Sequence, residues 1–175
     1  MTPVLTVPGI GNSGPAHWQT LWERMHPTVS RVQQQDWDRP ACDAWVAAIE
    51  QAWQQRGPAI VVAHSLGCLA VVHWMARHRR AVPGLLLVAV PDPAGPAFPP
   101  LATGFEVLPP ELLGTPPVLV SSADDPYASP AFTARCVAAW GAQHVALGAA
   151  GHINASSGLG PWPAGWALVQ HWRPA

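Results

Sequence analysis

Short apolar runs bounded by Gly, Pro or Asp alternate along the chain with longer segments of helical period. That alternation predicts a mostly parallel sheet covered by helices on both faces. The runs at Val4 to Val7, Ser30 to Gln33, Ala59 to Ala63, Leu85 to Val90, Val118 to Ser121 and His144 to Leu147 are the candidate strands. AIVVA and LLLVAV have the unbroken apolar character of strands buried on both sides. The candidate helices are His17 to Met25, Pro40 to Gln55, Leu66 to Arg79, Pro130 to Trp140 and Pro163 to Trp172. Pro40, Pro130 and Pro163 stand where a first-turn proline is tolerated, and Gly57-Pro58 closes the second helix. PDPAGPAFPPLATGFEVLPPELLGTPP, from Pro91 to Pro117, is too rich in proline for a helix or central strand over most of its length. It reads as a long ordered loop with room for a short helical turn. With no repeat, charge block or linker, the chain is expected to form a single α/β domain over residues 1–175, with a sheet of about six strands.

Composition narrows the function. A hydrophobic content of 49% in 175 residues supports a sizeable core. A formal net charge of −1 with 11% charged residues leaves no basic surface for phosphates, so nucleic acid is not an expected partner. All nine basic residues are Arg, and neither this nor the 21 Pro bears on a site. Cys42, Cys68 and Cys136 form no CxxC pair, which argues against a disulfide framework or zinc knuckle and fits a reducing compartment. The opening MTPVLTVPGIGNSG lacks the order of a secretion signal, and no apolar run approaches the roughly 20 residues of a membrane helix. A soluble cytoplasmic protein without membrane contact is expected; the oligomeric state stays open.

The strongest chemical signal is AIVVAHSLGC, residues 59–68, an apolar strand that runs through Ser65 into a helix. A nucleophilic serine needs such a turn, because the strained backbone lifts Oγ off the sheet edge and small residues two positions to either side let neighbouring backbone pack close. Ala63 and Gly67 meet that demand. The Leu66 amide, at the helix start, is one expected oxyanion donor. The competing reading makes Ser65 a plain N-cap. His64, beside it, is a candidate for the pocket rim, with packing as its alternative role.

An acyl-transfer serine requires an imidazole to take its proton and a carboxylate to hold that imidazole. Beyond the strand ending at Ser121 lies Ser122-Ala123-Asp124-Asp125-Pro126-Tyr127, and beyond the strand ending at Leu147 lies Gly148-Ala149-Ala150-Gly151-His152. The order serine, acid, histidine and the placement after strands both fit. Turn chemistry alone would also account for the acidic pair, and a surface position for His152. The remaining histidines have no ligand-like company, so no metal site is expected, and Cys68 and Cys136 read as small core residues.

Pro8-Gly9-Ile10-Gly11-Asn12-Ser13-Gly14-Pro15 follows the first strand. It lacks the lysine of a P-loop and the acidic partner of a dinucleotide fingerprint. A loop after an early strand can supply the second oxyanion amide, with Ile10 N–H the first choice and Gly11 the next. Asn12, His17 and Trp18 are expected to border the same pocket, and Trp162 and Trp166 to lie near it or in the core.

PGIGNSGPAHW, AHSLG, SSADDPYAS and GHINASSGLGPWPAGWALVQHW, in this order over nearly the whole chain, resemble the small serine hydrolases related to retinoblastoma-binding protein 9 and the bacterial YdeN-like proteins. The resemblance implies a compact α/β-hydrolase fold without a large lid. It also implies a triad of Ser65, His152 and, as the residue directly before proline, Asp125. No LxCxE segment is present, so retinoblastoma-protein binding is not carried over. The expected activity is hydrolysis of a small carboxylic ester or related acyl bond through an acyl-enzyme, without cofactor or metal. Peptidase or thioesterase chemistry with the same triad, a non-catalytic binding module, and redox or metal chemistry are the rival readings.

Overall fold

A computed structural model describes residues 1–111 and 114–173. Six strands, β1 (Val4–Val7), β2 (Val29–Arg31), β3 (Ile60–His64), β4 (Leu85–Val88), β5 (Val118–Ser121) and β6 (Gln143–Ala146), form one sheet in the order β2-β1-β3-β4-β5-β6. Every neighbouring pair is parallel. The helices are α1 (Trp18–Met25), α2 (Cys42–Arg56), α3 (Leu66–His78), α4 (Pro130–Trp140) and α5 (Pro163–Gln170).

Alternate strand residues build two cores, as the period of two requires. Leu5, Val61, Leu85, Leu87 and Leu119 join Trp45 and Ile49 of α2, Leu69 and Trp74 of α3, and Phe132 of α4 on one face. Val4, Ile60, Val62, Leu86 and Val120 join Trp18 and Trp22 of α1 and Val169 of α5 on the other. The strand order turns back between β1 and β3, and ligand crevices in open parallel sheets form at the carboxyl ends of strands beside such a reversal.

Two boundary expectations are corrected. Pro40 is not in the first turn of α2: that helix begins at Cys42 with Ala41 as N-cap, because Ala41 and Thr103 first form an isolated parallel bridge. β4 stops at Val88 and not at Val90, since Ala89 turns the chain at φ 55°. Pro130 and Pro163 do occupy the first turns of α4 and α5. The loop over 91–117 contains no helix among the described residues, with Leu112 and Leu113 outside them. No helix among those residues is long and apolar enough to cross a membrane.

Candidate active site

The turn from β3 into α3 holds Ser65 at φ 55°, ψ −130°, a conformation that non-glycine residues adopt only when the surroundings impose it. The surroundings here are close. The Ser65 N–H donates to Val88 O at 2.9 Å, and the Cys68 N–H donates to Ser65 O at 2.8 Å. A Cβ on Gly67 would stand 2.3 Å from Val7 O and 2.6 Å from Pro8 O, and one on Gly9 would stand 2.8 Å from Ser65 Cβ. Two glycines therefore let the loop after β1 lie against the serine.

From Ser65 a continuous hydrogen-bond chain runs to Asp125. The Ser65 hydroxyl lies 2.8 Å from His152 Nε2 and donates to it, while His152 Nδ1–H donates to the Asp125 carboxylate at 2.9 and 3.0 Å. A carboxylate only accepts, so it fixes the proton on Nδ1 and leaves Nε2 free to receive one. The Asp125 side chain is 3% exposed and also accepts from the Tyr127 N–H at 3.0 Å. Asp124 faces elsewhere: its Oδ1 accepts from Ser122 Oγ at 2.7 Å and from the Gly151 N–H at 2.8 Å. These two bonds, the hydroxyl's first, hold its carboxyl below the usual range. The acidic pair thus divides, with one member on the imidazole and the other on the loop that carries it.

That loop is fixed from several sides. The Ala150 N–H donates to Ser122 Oγ at 2.9 Å. His64 Nε2–H donates to His152 O at 2.9 Å, and Trp18 Nε1–H donates to Ile153 O at 2.8 Å. Ile153 itself sits at φ 50°, a left-handed conformation costly for a β-branched residue and held by these neighbours.

A cavity of about 200 Å³ opens over Ser65 and is lined by Ile10, Asn12, His17, His64, Tyr127 and Asn154 among others, with no Asp, Glu or Arg in its wall. The Ile10 and Leu66 amides donate to no protein acceptor among the described residues. Gly11 is corrected: its N–H is taken by Trp37 O at 2.9 Å, and the residue does not line the cavity. Trp18 is corrected as well, since it is buried in the α1–α5 core and does not line the cavity; it reaches the site through Ile153 and by packing on His17 and His64. Trp162 packs in the same core and Trp166 against it. Tyr127 and Asn154 were missed by the sequence reading, although both stand inside motifs it singled out. A tyrosine after a turn proline and an Asn opening a short helix both read locally as turn chemistry.

Three imidazoles crowd the serine. The rings of His17 and His64 are 4.7 Å apart, and those of His64 and His152 are 5.0 Å apart. Burial holds His17 down at about 4, with Arg31 adding to the effect, and burial keeps His64 well below its ordinary value. Both are neutral at pH 7, which limits the positive charge around His152. Among the described residues no group of three His, Cys, Asp or Glu side chains is arranged to hold a metal.

Comparison with known proteins gives the fold and the family. The fold matches a YdeN-like hydrolase of Pectobacterium atrosepticum at 31% identity and a TM-score of 0.84, covering 98% of this chain and 89% of that one. It also matches the ydeN gene product of B. subtilis at 19% identity and a TM-score of 0.82, covering 98% of both chains. An esterase of Thermogutta terrifontis matches at 15% identity and a TM-score of 0.70, covering 99% of this chain and 90% of that one. A search of the curated proteins found no match. The architecture is the α/β-hydrolase fold in a compact form. Residues 4–171 match the family model described as serine hydrolase, and with the likeness to the Pectobacterium protein this makes the chain a member of the serine hydrolase family and a hydrolase of YdeN-like type.

Proposed function

We propose that the protein hydrolyses small, neutral carboxylic esters through an acyl-enzyme on Ser65. The observation that carries this reading is the unbroken chain from Asp125 through His152 to Ser65, on a strained turn that opens into a cavity without charged walls.

Ser65 Oγ attacks the acyl carbon as its proton passes to His152 Nε2, and the carbonyl π electrons move onto oxygen. The Ile10 and Leu66 amides hold that oxyanion. Collapse breaks the bond to the alcohol oxygen, which leaves with the proton from His152. Water then repeats the sequence on the acyl-enzyme and releases the acid and Ser65. Asp125 keeps the imidazole in the required tautomer and stabilises it when charged. The chemistry needs no cofactor. A cavity of about 200 Å³ has the volume of roughly seven water molecules at about 30 Å³ each, which suits short acyl groups. Cys42, Cys68 and Cys136 are free and buried, which suits work in the cytoplasm.

The test is fluorophosphonate labelling with peptide mapping, beside turnover of p-nitrophenyl acetate and butanoate by wild type and Ser65→Ala. Labelling at Ser65 and loss of turnover in the variant are expected. A folded wild type that neither labels nor turns over would leave the binding-module reading, and faster cleavage of a thioester or peptide than of its ester analogue would move the activity to that class.

A further inference from the structure

Three polar side chains in the cavity wall share one arrangement. Asn12 Oδ1 accepts from the Ser13 N–H at 2.8 Å and from Arg31 Nη1 at 2.7 Å. Asn154 Oδ1 accepts from the Ser156 N–H at 3.0 Å. His17 Nδ1 caps α1 by accepting from the Gln19 N–H at 3.2 Å. In each case the acceptor end is committed to the protein, and that commitment decides what the other end is. The two asparagines are left with their NH₂ groups, which donate to no protein acceptor among the described residues. Neutral His17, with its Nδ1 lone pair engaged, must carry its proton on Nε2. That Nε2 is buried and has no partner among the described residues.

A buried donor left unpaired is costly, and a site built to donate rejects an analogue that offers only methylene in its place. Asn12 and His17 belong to the same 10–17 segment as Ile10, and all three line the cavity. Asn154 lies two residues beyond His152. We propose that the cavity selects esters whose acyl chain carries a second acceptor oxygen, as an ether, hydroxyl or further carbonyl, and that Asn12, His17 and Asn154 donate to it. The inference rests on the reading of Ser65 as nucleophile, and it adds the substrate class.

The experiment compares p-nitrophenyl methoxyacetate with p-nitrophenyl butanoate, two esters of equal chain length that differ by one oxygen in place of a methylene. Each kcat/KM is divided by the rate constant for hydrolysis by hydroxide, which removes the intrinsic reactivity of the ester. Asn12→Asp keeps a side-chain acceptor for the local backbone and deletes the donor, while His17→Ser and Asn154→Ser keep a hydroxyl that can accept from the local backbone and shorten the side chain, drawing its donor back from the cavity. Asp at position 12 also tolerates the left-handed φ of 65° found there. The corrected ratio is expected to favour methoxyacetate about fivefold or more in wild type, and to fall about threefold or more in at least one variant. A corrected ratio at or below one with both esters turned over at Ser65, or a ratio unchanged in all three folded variants, overturns the selection while leaving the hydrolase reading intact. Failure of wild type to turn over either ester, with no labelling at Ser65, overturns both.

Discussion

Replacing Asp125 by Asn changes one atom and should invert the proton position on His152. The carboxylate now accepts from Nδ1–H at 2.9 and 3.0 Å. An Asn that kept its oxygen at Oδ1, on the Tyr127 N–H 3.0 Å away, would put its NH₂ in the Oδ2 place, 3.0 Å from Nδ1, where two donors cannot face each other. Nδ1 would then have to accept, the proton would move to Nε2, and Nε2 would face Ser65 Oγ with nothing free to receive a proton. A base held in the wrong tautomer lowers kcat by about three to four orders of magnitude, equivalent to roughly 4 to 5.5 kcal/mol in the barrier. Shape and burial barely change, so the melting temperature should move by only a few degrees. The assay is p-nitrophenyl ester turnover beside thermal unfolding, with Asp124→Asn as the control. That variant keeps an oxygen for Ser122 Oγ and the Gly151 N–H and should stay within about tenfold of wild type. An Asp125→Asn enzyme within tenfold of wild type, or a greater loss in Asp124→Asn, would refute the assignment of the acid.

Gly67→Ala drives a methyl into two main-chain carbonyls and should destabilise the fold by about 3 kcal/mol or more, a drop in Tm of roughly 6 to 12 °C by calorimetry; an unchanged Tm would show that β1 moves away freely. Glu50 accepts from Arg80, from Trp74 Nε1 at 2.7 Å and from Gln54 Nε2 at 2.8 Å, and Arg80 first among these holds its carboxyl down at about 2 from 4.5. A depressed carboxyl stabilises the fold above its ordinary value and loses that effect as pH falls from about 5 toward 2, by up to roughly 2 kcal/mol after screening. Urea unfolding of Glu50→Gln should therefore be weaker at pH 7 and flatter between pH 5 and 3 than wild type; parallel curves would count against it. Trp18→Phe leaves Ile153 O without its donor and should lower kcat several-fold with KM nearly kept, whereas a change confined to KM would make Trp18 a substrate contact after all.

Much of this architecture was legible in the chain because buried parallel strands must be continuously apolar. Val4–Val7 and Val118–Ser121 match the predicted strands residue for residue, and the others differ by one or two positions. The strained turn that carries Ser65 was legible for a related reason: a serine between an apolar strand and a helix, with Ala63 and Gly67 around it, has a steric signature. The acidic pair was different. Asp124 and Asp125 share one turn, and spacing alone gave no way to separate them; the family resemblance chose Asp125, and the hydrogen bonds to His152 and Gly151 show what each carboxylate touches. Trp18 was misread because its place at the start of a helix beside a site loop says nothing of which way the ring turns. His17, correctly placed at the pocket, gave no sign that its outer nitrogen would be buried without a partner, since that depends on Gln19 and on the far side of the cavity.

The tryptophan bridge between α1 and the histidine loop also bears on when the molecule becomes reactive. Trp18 reaches Ile153 across 135 residues and Trp22 reaches Pro161 O across 139, so α1 has no finished partner until the segment through α5 exists. On the ribosome, the strand and turn that carry Ser65 emerge long before His152, the proposed base 87 residues later, can meet it. Contacts of such separation cost the most loop-closure entropy and slow folding. On the proposed mechanism, a half-made chain carries a serine with no imidazole beside it, and reactivity waits for the segment that packs onto α1.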